Sequence, residues 1–217
     1  MNVLGPGIRS LNFASCYVYA PCGACRVSVR SRALCAMIKA ADPPRAQLYA
    51  RCVMRQAHLL PILAEFFRAI DVLVPIPSCE PGCANREYLP ERLADAFVAE
   101  GLASTAWRGL LRVSAVPKSA LAAPGRRPTV GAHYASFSVV SGSDLPEDAR
   151  LLLIDDVVTR GRTLLAAAAR LHEAFPQARI TAFALLRTLG FQDHIGDLLD
   201  PCVGRIGWRA GDAHRNP

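Results

Sequence analysis

The sequence predicts an α/β fold built on a parallel sheet, and three neighbouring segments carry that reading. Leu151–Ile154 is a run of four aliphatic residues, the composition of a strand buried on both faces. An alanine-rich helical stretch, Thr163–Ala174, follows and is closed by Pro176; a second apolar strand, Ile180–Leu186, comes next. Strand, helix and strand in that order form a βαβ unit, whose right-handed crossover sets the two strands parallel in one sheet.

The remaining elements are read in chain order. Residues 1–35 form a lead segment with Gly, Cys and Arg but no clear period, in which Cys16–Tyr19 reads as a short strand. From Arg45 to Ala69, Leu48, Val53, Leu59, Leu60, Leu63 and Phe67 recur at mixed spacings, which predicts a helix interrupted near Pro61. Val72–Val74 is a buried strand running into the proline-stiffened Pro75-Ile76-Pro77. Glu87–Leu102 places Leu89, Leu93, Phe97 and Val98 on one helical face and stops at Gly101. Leu110–Val113 and Phe137–Val140 are strands; between them Pro117–Tyr134, rich in Pro, Gly and basic residues, reads as a mobile surface loop. The chain thus divides into a lead (1–35), a core (36–190) containing that loop, and a carboxyl-terminal tail (191–217) that can pack on the core.

At 217 residues there is room for one globular domain plus an appendage. A composition 52% hydrophobic and 20% charged excludes a disordered chain. The apolar runs are far shorter than a membrane span, and the first thirty residues lack a continuous apolar segment, so no membrane partner and a cytoplasmic location are expected. The net charge of +7 is a guanidinium charge, since only Lys39 and Lys118 are lysine, and guanidinium forks suit phosphate. Basic residues outnumber acids most strongly up to Arg55, where Asp42 is the sole acid. That stretch is either a solvated face or a nucleic-acid contact.

Eight cysteines in a cytosolic chain are buried hydrophobes or metal ligands rather than a disulfide framework. Cys22-Gly-Ala-Cys25 has the spacing that brings two thiolates to one metal, and Cys79 and Cys83 form a wider pair. Two readings stay open: separate buried thiols, or a zinc or iron–sulfur site assembled from Cys79, Cys83, Cys202 and either Cys22 or Cys25. The histidines His58, His133, His172, His194 and His214 have no ligand spacing and read mostly as surface residues.

The segment that carries chemistry is Leu151–Thr163. Asp155 and Asp156 emerge at the carboxyl end of the strand, where ligands of open α/β sheets bind. Thr159-Arg160-Gly161-Arg162-Thr163 then turns into a helix whose first backbone amides can cradle a phosphate, with threonine hydroxyls as further donors. Carboxylates beside a phosphate cradle suit a sugar phosphate, whose hydroxyls donate to the acids.

Position for position, this stretch resembles the phosphoribosyl pyrophosphate (PRPP) motif of type I phosphoribosyltransferases: four aliphatics, two acids, two aliphatics, Thr-x-Gly-x-Thr. The resemblance implies a parallel-sheet core with helices on both faces and a small amino-terminal hood or appendage. It places Asp155 and Asp156 on the ribose hydroxyls and Thr159, Arg160, Gly161, Arg162 and Thr163 around the 5-phosphate, the two arginines free to add charge. Within that superfamily the order Met37-Ile38-Lys39, Val74-Pro75-Ile76-Pro77, Asp155–Thr163 is most similar to ComF-type proteins, associated with competence and DNA uptake. Arg86-Glu87-Tyr88 keeps that family's arginine and aromatic.

By the same resemblance Pro75, Ile76, Pro77 and Ser78 occupy the pyrophosphate loop, while Lys118, Arg126 and Arg127 lie on the hood loop that closes over the leaving group. The activity implied is transfer of phosphoribosyl from PRPP to a nitrogen acceptor that the sequence does not name, with Mg2+ arriving on the substrate. The alternative is a non-catalytic PRPP sensor or an accessory of DNA uptake and recombination. Partners beyond PRPP and the acceptor are then nucleic acid and a second copy of the chain.

Overall fold

The computed structural model describes residues 8–81, 88–117, 127–142, 145–190 and 195–217. Strand β6 (Arg150–Val158) is paired on both sides in parallel, with β2 (Val72–Pro75) and with β7 (Arg179–Thr188). The chain passes from β6 to β7 through helix α6 (Arg162–Ala174), the βαβ unit read from the sequence. β3 (Thr105–Ala106) adds to the outer side of β2. On the other side β7 pairs in parallel with β1 (Ser10–Tyr19), and the antiparallel β8 (Leu199–Arg209) and β9 (Asp212–Asn216) complete the order β3-β2-β6-β7-β1-β8-β9. A separate two-stranded sheet joins β4 (Leu110–Arg112) to β5 (Phe137–Val139).

The central sheet is buried on both faces because its strands are apolar at successive positions. Leu151 and Leu153 pack with Leu164, Leu165 and Leu171 of α6 and with Val130 of α5 (Val130–Ser136). Leu152 and Ile154 point the opposite way, as the two-residue strand period requires. They meet α1 (Arg26–Lys39), α2 (Pro43–Leu59), α3 (Pro61–Phe66) and α4 (Leu89–Ala99). Helices therefore cover both faces.

Helix boundaries follow their local chemistry. Asp42 caps α2 by accepting from Arg45 N at 3.1 Å, ahead of Pro43 and Pro44, where a missing amide hydrogen costs nothing. Pro61 then opens α3 after the break at Leu60, as the sequence predicts.

Three segments differ from the sequence reading. The lead segment is not an appendage: Ser10–Tyr19 lies inside the sheet between β7 and β8, and Arg26–Lys39 is helical with the Cys25 thiol accepting from Ser28 N. The carboxyl-terminal segment packs on the core with more order than a tail, as a hairpin of the same sheet over 199–216. The loop expected over Pro117–Tyr134 ends at Thr129, whose hydroxyl caps α5 by accepting from Ala132 N at 3.1 Å. Among the described residues no helix is long and apolar enough to cross a membrane.

Phe183 of β7, fully buried, meets Phe67 and Phe97 edge-on at centroid distances of 5.4 and 5.6 Å, which joins α3 and α4 to the sheet. Replacing it with alanine is expected to cost about 3–5 kcal/mol in urea unfolding; a cost below about 1 kcal/mol would mean this cluster does not organise the helical layer.

Candidate functional site

Parallel register brings two chain segments out at one edge of the sheet. Pro75 is opposite Ile154, and the ladder continues with Ile76 N donating to Ile154 O at 2.9 Å. The Pro75–Ser78 segment thus lies alongside the start of the Asp155–Asp156 pair. Both end where a parallel sheet opens to ligands.

The two acids are held differently. Asp156 accepts from Lys39 Nζ at 2.9 Å, a pair between the last residue of α1 and the end of β6. Burial works against the Lys39 charge, but Asp156 outweighs it and holds the ammonium above its ordinary value. Asp155 accepts from Asp156 N at 2.9 Å. Burial first, and then the neighbouring Asp156 charge, raise its carboxyl well above the usual range. The pair is therefore poised to gain from any group that supplies hydrogen-bond donors or positive charge.

The turn that follows is fixed by Gly161. Its φ of +83° is in the left-handed region, and a Cβ there would stand 2.6 Å from Ile206 Cδ1 of β8, so the site needs glycine. Gly161 is also the N-cap of α6 and has no side chain with which to cap it. The first amides of a helix have no carbonyl within the helix; here the residues that carry them, Arg162, Thr163 and Leu164, line a cavity of about 40 Å³ together with Asp155, Thr159, Arg160 and Arg127 among others. That volume accepts a compact polar group, and the helix end favours an anionic one.

Arg160 and Arg162 are not free. Arg162 donates through Nε and Nη2 to both carboxylate oxygens of Asp212, and through Nη1 to Pro128 O at 3.0 Å; Arg160 Nη1 reaches the same carboxylate at 3.0 Å. Desolvation pushes Asp212 up, but the hydrogen bonds from Arg162 and from Ala213 N outweigh it and bring its pKa down to about 2. Both guanidiniums converge on Asp212 because the β8–β9 hairpin brings this acid beside the turn, a contact that local sequence does not announce.

A second group that sequence reasoning missed lies beneath. His133 is buried, its Nε2 3.4 Å from Thr163 Oγ1 and its Nδ1 without a partner among the described residues. Desolvation, then Arg112 and Arg162, lower its pKa to about 4, so it stays neutral; it is not the surface residue expected. Arg112 is buried too, donating through Nε to Ser78 O at 2.9 Å and through Nη1 to Ser136 Oγ. Its neighbourhood was legible in one respect: alternation along Leu110-Leu111-Arg112 puts Arg112 on the buried face with Leu110.

Of the expected hood residues, Arg127 lines the cavity, while Lys118 and Arg126 lie outside the described residues. So do Cys83, His194, Arg86 and Glu87. The other expected metal ligands are dispersed. Cys202 sits on β8 opposite Ser15 of β1, and Cys79 follows β2. Four strand steps in the sheet order separate β8 from β2. Cys22 is exposed and Cys25 caps α1. Among the described residues no three His, Cys, Asp or Glu side chains are grouped to hold a metal. The basic first third places Arg26, Arg30, Arg45 and Arg55 on exposed positions of α1 and α2.

No protein-family model matches the chain, and no curated protein matches it significantly.

The raised carboxyl of Asp155 has a measurable consequence. Since its folded-state value lies above the unfolded one of about 3.9, ionising it costs stability; the cost is absent below the unfolded value and complete above the folded one. Asp155→Asn is therefore expected to melt higher than wild type at pH 7. The difference should close as the pH falls below about 4, and a variant that melts lower at pH 7 would contradict the assignment.

Proposed function

We propose that the chain binds PRPP at the carboxyl end of β6 and transfers its phosphoribosyl group to a nitrogen acceptor, releasing pyrophosphate. One observation supports the reading: Asp155 and the start of a helix without a side-chain cap line a single cavity, with Asp156 next in sequence, so hydrogen-bond acceptors and anion-binding amides stand a few residues apart. A ribose ring with hydroxyls on one side and a 5-phosphate on the other satisfies both. The thirteen-residue PRPP-type motif supports the same assignment.

In this reading the amides at the start of α6, with the hydroxyls of Thr159 and Thr163, hold the 5-phosphate. Asp155 and Asp156 accept hydrogen bonds from the ribose hydroxyls and fix the sugar. The Pro75–Ser78 segment offers backbone donors to the pyrophosphate. In the transfer, the bond from the anomeric carbon to the pyrophosphate oxygen breaks and a bond to the acceptor nitrogen forms, the nitrogen losing a proton. Positive charge grows on the ring as the leaving group departs, so the carboxylates below the sugar and cations around the pyrophosphate both lower the barrier. Mg2+, when bound with the substrate, neutralises pyrophosphate charge; the carboxylate oxygens of Asp155 and Asp156 are hard donors of the kind it takes, and few protein ligands are needed.

Titration calorimetry with PRPP and Mg2+ tests the proposal. Wild type is expected to bind, and an Asp155→Asn, Asp156→Asn double variant to bind about 10–100-fold more weakly, as two charge-assisted hydrogen bonds become neutral ones. Wild type that folds and does not bind PRPP would overturn the reading; binding without pyrophosphate release across an acceptor screen would leave a PRPP sensor in place of a transferase.

A further inference from the structure

Thr163 Oγ1 and His133 Nε2 stand 3.4 Å apart, and either can be the donor, because a hydroxyl and a neutral imidazole nitrogen can each give or receive a proton. The surroundings of the ring fix the direction. His133 is 3% exposed, and its other nitrogen, Nδ1, is sealed from solvent with no partner among the described residues. If Thr163 donates to Nε2, the ring proton sits on Nδ1 as a buried N–H with nothing to receive it. If Nε2–H donates to Thr163, Nδ1 presents only a lone pair. As with backbone groups, an orphaned buried donor is the rarer state. The charged neighbours agree: the Arg112 and Arg162 guanidiniums act on His133 as positive charges, and a lone pair is favoured beside them over a second N–H.

The backbone holds the ring in place. Thr129 Oγ1 accepts from Ala132 N and Thr129 O from His133 N, both at 3.1 Å, and Ser136 Oγ donates to His133 O at 2.6 Å. Arg162 Nη1, donating to Pro128 O at 3.0 Å, ties the chain entering α5 to the start of α6. His133 and Thr163 are thus carried by two elements that are fastened together. Thr163 is half-buried and lines the cavity. An ionised phosphate oxygen only accepts hydrogen bonds, so a threonine that holds one must give it its single proton. A hydroxyl that spends this proton on histidine has to turn before it can bind; one whose oxygen already receives a proton from histidine has its own free for the cavity.

We propose that His133 is a positioning residue for the phosphate turn: its Nε2–H donates to Thr163 Oγ1 and leaves the threonine proton to be donated to the phosphate of the ligand. The inference deepens the PRPP reading and rests on it for the identity of that phosphate. The imidazole itself neither touches the ligand nor moves a proton. It acts through Thr163 alone, by presetting the direction of one hydroxyl before the ligand arrives.

Two measurements test it. In 15N-labelled wild type without ligand, imidazole nitrogen shifts are expected to show His133 as the neutral Nε2–H tautomer with Nδ1 unprotonated; the Nδ1–H tautomer overturns the proposal. Binding of ribose 5-phosphate, and of PRPP with Mg2+, is then compared on wild type, His133→Leu, Thr163→Val and the double variant. His133→Leu is expected to weaken both ligands about 3–10-fold, the worth of one hydrogen bond, and to add less than about twofold once Thr163 is already valine. His133→Gln, whose amide can donate to the same hydroxyl, is expected to recover part of the loss. Losses that add in the double variant would make the role structural and overturn the proposal, as would His133→Leu binding as tightly as wild type. Wild type that binds ribose 5-phosphate but not PRPP sinks the PRPP reading and still scores His133 on the sugar phosphate; wild type that binds neither overturns both. Should His133→Leu fail to fold, the tautomer decides alone, Nε2–H upholding the proposal and Nδ1–H overturning it.

Discussion

The site depends on β6 being enclosed. Paired on both sides and covered on both faces, this strand can carry only apolar side chains from Leu151 to Ile154, so polar groups have nowhere to appear before its carboxyl end. They appear together. Asp155 and Asp156 are adjacent, each raising the cost of the other's charge, and the fold relieves only one of them directly, by bringing Lys39 from the end of α1 to Asp156. Asp155 keeps its raised carboxyl. The same parallel register that buries the strand also delivers the segment after β2 to this edge, so the enclosure of one strand creates the acid pair and selects its neighbours.

How much of this the sequence shows differs by element. The β6–α6–β7 unit is legible because its apolar run, alanine-rich helix and stop at Pro176 agree at each level. The break at Pro61 is legible because proline lacks the donor a continuing helix needs. β1 is less so: Ser10–Tyr19 mixes Ser, Asn and Cys among its apolar residues, and small polar side chains such as Ser15 are buried within the sheet. β8 is obscured by Gly204 and Gly207, which carry no side chain to register a period. In α5 the flanking prolines and glycines of the preceding stretch mask a threonine cap whose role is visible only once the chain turns.

The site divides along the same line. Asp155, Asp156 and the Gly161 turn are neighbours in sequence, and their chemistry is set by the strand end and helix start on which they sit. Lys39, Arg112, His133 and Asp212 act from distant positions, and residue type alone does not distinguish them from solvated charges. Arg112 is the exception in part, since strand alternation marks it as buried. An arginine at a core-facing position is a local conflict of the kind that concentrates at functional sites.

The fate of the two motif arginines changes how the phosphate turn would work. Arg160 and Arg162 flank the glycine, and charge alone would assign them to the ligand, yet both are committed to Asp212, an acid that stays ionised far below neutral pH. One carboxylate offsets only half of their combined charge. They also supply geometry: Arg162 joins the turn to the β8–β9 hairpin through Asp212 and to the chain entering α5 through Pro128 O, while Ile206 of the same hairpin packs against Gly161. These contacts fix the backbone of the turn, and with it the direction of the amides and hydroxyls at the start of α6. Both guanidiniums still line the cavity together with Arg127, so the turn keeps positive charge beside the buried Asp155.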